Sequence, residues 1–190
     1  MQWNDEGFLL SKNNFDENSI IIEAFTLDHG KSRGIVYGGS SRKLKKNFQI
    51  GNKFMLDLKS RNENKLGYFN IELIKPISPL FFDDKKKSIC LLSASTLLKI
   101  LLPENQLNKK IYFLFEELTE KLNDQDWINY YIHWELSLIK ELGFEQKKTR
   151  SAKNIKEALA FNRSIIMENF ILPNRLKIPL SRNILEKYYN

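Results

Sequence analysis

The sequence predicts an α+β chain, with a small β-barrel over residues 1–79 followed by an α-helical domain over residues 80–190. Two patterns predict it. Up to Ile77 the apolar residues fall in short runs rich in β-formers, and from Ser88 onward they recur at spacings of three and four. The break between the patterns is marked as well, since Pro76-Ile-Ser-Pro79 ends the first and Asp83-Asp-Lys-Lys-Lys87 reads as a linker and helix start.

Gly7-Phe-Leu-Leu10 and Ser19-Ile-Ile-Ile-Glu-Ala-Phe25 read as the first two strands, divided by the Asn/Asp-rich turn Asn13 to Asn18. Asp28-His-Gly30 is a tight-turn signal that leads into a third strand, Lys31 to Gly38. Lys53 to Lys59 forms a fourth, Arg61-Asn-Glu-Asn64 is turn material, and Leu66 to Ile77 is the last. Five strands in about eighty residues, with one long basic loop, match the size of the five-stranded OB-fold, which commonly grips oligonucleotides.

The helical half begins with Ser88 to Leu102, apolar almost all round and therefore expected to be buried. Asn108 to Leu122 is amphipathic, with Ile111, Leu114, Phe115, Leu118 and Leu122 on one stripe. Asp126 is the expected cap of a helix from Trp127 to Leu142 that Gly143 closes. Short helices are expected at Asn154 to Phe161, at Asn162 to Leu172, and after Ser181.

Composition narrows the function. The 190 residues are 42% hydrophobic and 28% charged, with a formal net charge of +7. That charge is divided as +3 over residues 1–79, −2 over 80–142 and +6 over 143–190, so the basic excess lies toward both ends, as suits a partner of polyanions. The single cysteine, Cys90, excludes an intramolecular disulfide and a cysteine-rich zinc cluster, and its apolar surroundings suit an inert thiol. The opening residues lack a secretory signal, and Ile89 to Leu102 is too short to span a bilayer, so a cytoplasmic protein with no membrane partner is expected.

Enzymatic readings find no footing. Gly38-Gly-Ser-Ser-Arg-Lys43 lacks the spacing of a phosphate loop, and no dinucleotide fingerprint follows a strand. His29 and His133 are far apart in sequence and lack metal-ligand spacing. The pairs Asp83/Asp84 and Asp124/Asp126 sit where helices begin, where the helix dipole accounts for them. Asn162-Arg-Ser164 fits the glycosylation pattern but carries no meaning in a cytosolic chain. The expectation is therefore a protein without catalytic residues.

The densest signal is the stretch between Asp28 and Asp57, which holds seven basic residues and no acidic one: Lys31, Arg33, Arg42, Lys43, Lys45, Lys46 and Lys53. A basic strand and loop of this kind neutralises phosphates and releases their counterions. Tyr37, Phe48, Phe54, Tyr68 and Phe69 lie close by in sequence. Phe54 and Phe69 are expected to fill the barrel, whereas alternation places Tyr37 with Arg33 on one strand face, where a ring beside a positive charge can stack on a base. Lys147, Lys148, Arg150, Lys153 and Lys156, extended by Arg163, Arg175, Lys177 and Arg182, form a second basic cluster. These residues leave three readings open: a DNA binder, an RNA-binding OB-fold protein, and a basic adaptor that meets acidic proteins.

Several segments carry a resemblance to a known family. Trp3-Asn-Asp-Glu-Gly-Phe-Leu-Leu10, Phe25-Thr-Leu-Asp-His-Gly30, Gly38-Gly-Ser-Ser-Arg42, Trp134-Glu-Leu-Ser-Leu-Ile-Lys-Glu-Leu-Gly-Phe144 and Pro179-Leu-Ser-Arg182, taken in order, resemble the RecO family of bacterial recombination mediators. The resemblance implies an N-terminal OB-fold and a helical domain. It also implies binding of single- and double-stranded DNA, annealing of complementary strands, and action on the nucleoid during repair. The partners implied are RecR, the acidic C-terminal tail of the single-stranded DNA-binding protein SSB, and RecA, which the family helps to load. It puts DNA contacts on Lys31, Arg33, Arg42, Lys43, Lys45 and Lys46, joined by Arg182. The SSB tail is implied near His133 and Lys140. Where many relatives have arginine this chain has His133, and histidine carries less charge at pH 7. Many relatives also hold zinc in a cysteine-bearing insertion after the Leu-Gly-aromatic step, and Phe144 here runs straight into Lys147-Lys-Thr-Arg150, so no zinc is expected.

Overall fold

In the computed structural model, which describes residues 1–41, 46–60, 66–144 and 153–190, the first strand is long enough to serve two neighbours. β1 (Gln2–Asn14) pairs through its first half with β4 (Lys53–Lys59) and through its second with β2 (Ser19–Thr26), all antiparallel. A bulge between Leu9 and Ser11 bends it at the change of partner. β3 (Gly30–Tyr37) follows β2 through the Asp28-His-Gly30 turn, and β5 (Gly67–Lys75) pairs antiparallel with β4. A short parallel contact between β3 and β5 closes the sheet in the order β1-β2-β3-β5-β4, which is an OB-fold barrel. The strands begin and end close to where alternation placed them. β1 alone is much longer than its apolar centre Gly7 to Leu10, because its polar ends are paired rather than frayed.

Leu9, Ile22, Val36, Phe54, Leu56 and Phe69 fill the barrel, joined by Phe48 from the loop before β4. Burying each such side chain contributes roughly 1.5–3 kcal/mol relative to leaving it exposed. Asn52, 1% exposed, ties that loop down. Its carbonyl accepts the Leu9 N–H, its Oδ1 accepts the N–H groups of Ile77 and Ser78 at 2.8 Å each, and its Nδ2 donates to the Asn47 carbonyl. Asp5, also buried, accepts from the backbone N–H groups of Glu6, Asp28 and His29, and so fixes the β2–β3 turn.

A 3₁₀ turn (Ser78–Phe81) leads to α1 (Lys85–Leu101), whose first turn is capped by Asp84 accepting from the N–H groups of Lys86 and Lys87. The change from strand to helix near residue 79 is not where compactness divides the chain. The two compact units are Met1–Lys109 and Lys110–Asn190, because α1 packs on β1 and β2 and belongs with the barrel. Its nearly all-round apolar surface explains this, since such a helix must be covered on more than one side.

In the second unit, α2 (Lys109–Lys121) is followed by α3 (Trp127–Glu141), α4 (Ile155–Ile166) and α5 (Leu180–Lys187). Asp126 stands at the α3 N-cap, but its side chain caps nothing, and only its backbone carbonyl accepts bonds, from Asn129 and Tyr130. Gly143 closes α3 with φ +94, and its N–H reaches the Lys140 carbonyl. The two short helices expected across 154–172 are one helix that runs through Asn162 and ends in a π-helical turn, Met167–Ile171. Asn162 does not break it because its side chain is buried, donating to the Ile132 carbonyl and to Glu135.

Glu135 is the polar centre of this unit. It is 0% exposed and accepts from the Tyr131 hydroxyl, from Asn162, and from Arg182 Nε at 2.5 Å and Nη2 at 3.2 Å. Arg182, equally buried, also donates to the Leu159 carbonyl and to Glu186, linking α3, α4 and α5. Burial alone would lower its pKa, but Glu135, Tyr131 and Glu186 outweigh that and raise it above the usual arginine value.

Two stability outcomes follow from these anchors, both read by urea and thermal unfolding. Asn52→Leu strands two backbone N–H groups and should cost about 2–4 kcal/mol. Arg182→Met leaves Glu135 buried and unpaired and should cost about 3–5 kcal/mol, part of which Arg182→Met combined with Glu135→Gln recovers.

Candidate nucleic-acid interface

β3 alternates as its sequence suggests. Val36 points into the barrel, while Arg33 and Tyr37 are exposed on its outer face. Tyr37 stacks on Tyr68 of β5, with ring centroids 4.9 Å apart and planes 13° from parallel. A hydrogen bond between the two side chains raises the Tyr37 pKa above the ordinary tyrosine value. The pair lines a groove of about 730 Å³ with Met1, Gln2, Lys59, Ser60 and Leu66. Phe48, Phe54 and Phe69 are buried in the core, so of the aromatics near the basic stretch only the two tyrosines face solvent.

The basic residues of this stretch do not all share one role. Lys31 is half-buried, its Nζ donating to the Lys99 carbonyl in the last turn of α1 at 2.7 Å. Desolvation lowers its pKa, although Glu23 and Glu104 pull the other way. Lys53 is buried beneath the sheet, with its Nζ 2.7 Å from Glu6 and over the Phe8 ring. These two cations hold the barrel together and present little to a phosphate. Arg33 and Lys46 are exposed. Arg42, Lys43 and Lys45 lie outside the described residues.

In the helical unit the contact expected of Arg182 has no surface to act from, since the guanidinium is buried and shared among Glu135, Glu186 and Leu159. Arg163 is likewise engaged with Asn183 and Glu186. Lys153, Lys156, Arg175 and Lys177 are exposed, and Lys147, Lys148 and Arg150 lie outside the described residues.

His133 and Lys140 are both exposed and stand seven residues apart, on one face of α3. His133 lines a cleft of about 190 Å³ between α2 and α3. Its floor is Leu114, Leu118 and Trp134, and its rim carries Glu117, Lys121, Tyr130 and Ser137. The Trp134 Nε1–H is buried and has no hydrogen-bond partner. Lys121 lies 5.1 Å from the Tyr130 ring centre and 3.4 Å from Asp124, whose hydrogen bond and charge raise the lysine's pKa. The cleft thus sets apolar contact area from Leu114, Leu118 and Trp134 beside one lysine, Lys121, one acid, Glu117, and His133.

Sequence reasoning reached His133 but not Lys121, Tyr130 or Trp134 as lining residues. The α2 stripe marks the apolar face, yet it does not say which flank meets α3. Tyr68 was likewise only a nearby aromatic until β3 and β5 met. No other chemistry gathers: among the described residues there is no group of three or more His, Cys, Asp and Glu placed to hold a metal ion, and no helix is long and apolar enough to cross a membrane. His29 is part of the turn, stacked on Trp3 with centroids 4.2 Å apart and 2.9 Å from Asp5.

Comparison with known proteins bears on both units. Residues 1–77 match the family model described as Recombination protein O N terminal, and residues 83–173 match Recombination protein O C terminal. The Pro179-Leu-Ser-Arg182 element lies beyond both matches. Over 164 residues the chain is 33% identical to the DNA repair protein RecO of Wolbachia sp. subsp. Drosophila simulans (strain wRi), covering 85% of this chain and 68% of that protein. Over 162 residues it is 35% identical to the DNA repair protein RecO of Cereibacter sphaeroides (strain ATCC 17029 / ATH 2.4.9), covering 85% and 67% respectively.

Proposed function

The chain belongs to the recombination protein O family, and from that premise we propose that it is a DNA-binding recombination mediator without enzymatic activity. It binds single- and double-stranded DNA and anneals complementary strands. With RecR it helps to load RecA onto SSB-coated single strands, working in the cytoplasm on the nucleoid. The observation that carries this reading is the outer face of β3, where Arg33 and Tyr37 stand exposed and lead within a few residues into the acid-free run Arg42, Lys43, Lys45 and Lys46.

Annealing needs charge neutralisation rather than bond chemistry. Two strands repel through their phosphates, and cations that contact both lower that repulsion. The surface cations Arg33 and Lys46, with Arg42, Lys43 and Lys45, take this role, while Lys31, Lys53 and Arg182 stay in the structural positions described. The cleft between α2 and α3 captures the SSB tail, with Leu114, Leu118 and Trp134 receiving its aromatic end and Lys121 and His133 facing its acids. Two modest contacts in one chain raise the effective concentration of the mediator on coated DNA. The reading needs no resident zinc, and the one cysteine, Cys90, is buried in α1.

The test is annealing of SSB-coated complementary oligonucleotides, with and without the SSB tail, across a salt titration. Annealing should require the tail and fade with salt; a protein that neither anneals nor binds DNA at low salt sinks the proposal. In direct binding to a single strand, about five phosphate contacts give a log–log salt slope near −3.5, and replacing Lys43, Lys45 and Lys46 by glutamine should bring it to roughly −1.4. Lys121→Ala should weaken binding of an SSB tail peptide several-fold and leave bare-DNA affinity unchanged, whereas His133→Arg should strengthen the peptide. Calorimetry with the peptide and anisotropy with DNA read the two separately.

A further inference from the structure

We propose that the Tyr37–Tyr68 stack is a platform for an unpaired base, which makes the barrel prefer single-stranded over double-stranded DNA. The inference rests on the DNA-binding reading and adds to it a selectivity that the basic loop alone does not supply. Phosphates are common to both forms of DNA, so cations bind either; the face of a base is open only in a single strand.

The geometry supports such a platform in three ways. Tyr37 is 63% exposed although one of its faces lies on Tyr68, so its other face is open to a ligand. The two rings are held in near-parallel register by their own stacking, so little ordering remains to be done when a base arrives. The groove beside them, about 730 Å³, is within the range that accepts small ligands, and Lys59 lines it where a neighbouring phosphate would pass. Arg33, four residues before Tyr37 on the same strand face, supplies a second cation along the path. Neither ring is needed by the core: the barrel is filled from the opposite face by Val36 and Phe69, the neighbours of these strands that point inward.

The test is fluorescence anisotropy with three probes: a labelled oligothymidine, the same strand carrying a run of abasic sites, and a duplex of equal length. Wild type is compared with Tyr37→Ala/Tyr68→Ala and with Tyr37→Phe/Tyr68→Phe, each checked by circular dichroism and melting. Stacking on aromatics predicts that the double alanine variant loses about tenfold or more in affinity for oligothymidine. Its duplex affinity and its salt slope should stay at wild-type values. The phenylalanine variant should keep most of the affinity, and wild type should bind the abasic strand about as weakly as the alanine variant binds oligothymidine. An alanine variant that binds both DNAs like wild type, or loses equally on both, overturns the platform while leaving the mediator reading intact. Wild-type protein that binds none of the three probes overturns both.

Discussion

Among the described residues β3 and β5 meet at two register pairs, Gly34 with Gly67 and Ile35 with Tyr68, and that parallel contact decides the architecture of the barrel unit. Gly34 lets β3 approach β5, and Gly67 lets β5 approach β4, because neither glycine has a side chain. A Cβ on Gly34 would stand 2.4 Å from the Phe69 ring, and one on Gly67 would stand 2.7 Å from Leu58. Closure removes the free sheet edges that would otherwise invite pairing with other chains. It also lets one interior be filled by residues from all five strands. The same contact brings Tyr68 beside Tyr37. The placement of this exposed aromatic pair thus follows from a contact that closes the barrel.

Each unit is organised by a buried polar residue whose hydrogen-bonding capacity is spent on fixing irregular chain. Asn52 holds the loop before β4 to β1 and to the segment entering the 3₁₀ turn. Glu135 and Arg182 hold three helices whose apolar stripes alone would permit some sliding. Unpaired, these groups would be costly, so their partners fix one arrangement rather than merely adding stability.

Charge in this protein is divided between structure and surface. Lys31 sits at the carboxyl end of α1, where peptide carbonyls favour a cation, and Lys53 pairs with Glu6. Arg33, Lys46 and the exposed lysines of the helical unit are turned to solvent. The net charge of +7 therefore overstates the number of cations available to a polyanion. The cleft between α2 and α3 differs in kind, because there an apolar floor lies beside a mixed rim that carries Lys121, Glu117 and His133.

Alternation and turn chemistry were enough to give the five strands, and a helical period was enough to give α1 to α3, because these signals are local and repeat. The sequence by itself also determined the basic stretch, the want of enzyme motifs and the family, whose segments are spread over most of the chain. It misjudged elements that depend on distant partners. Asn162 reads as a helix break until Glu135 and the Ile132 carbonyl receive its amide. Asp126 reads as a cap, yet its side chain accepts no backbone bond. Arg182 reads as a surface base until α5 carries it into the carboxylate of α3. Which lysine holds a helix end and which faces solvent, and which two tyrosines touch, was decided only by tertiary structure. Those outcomes turn on contacts between residues tens of positions apart, and no local periodicity encodes them.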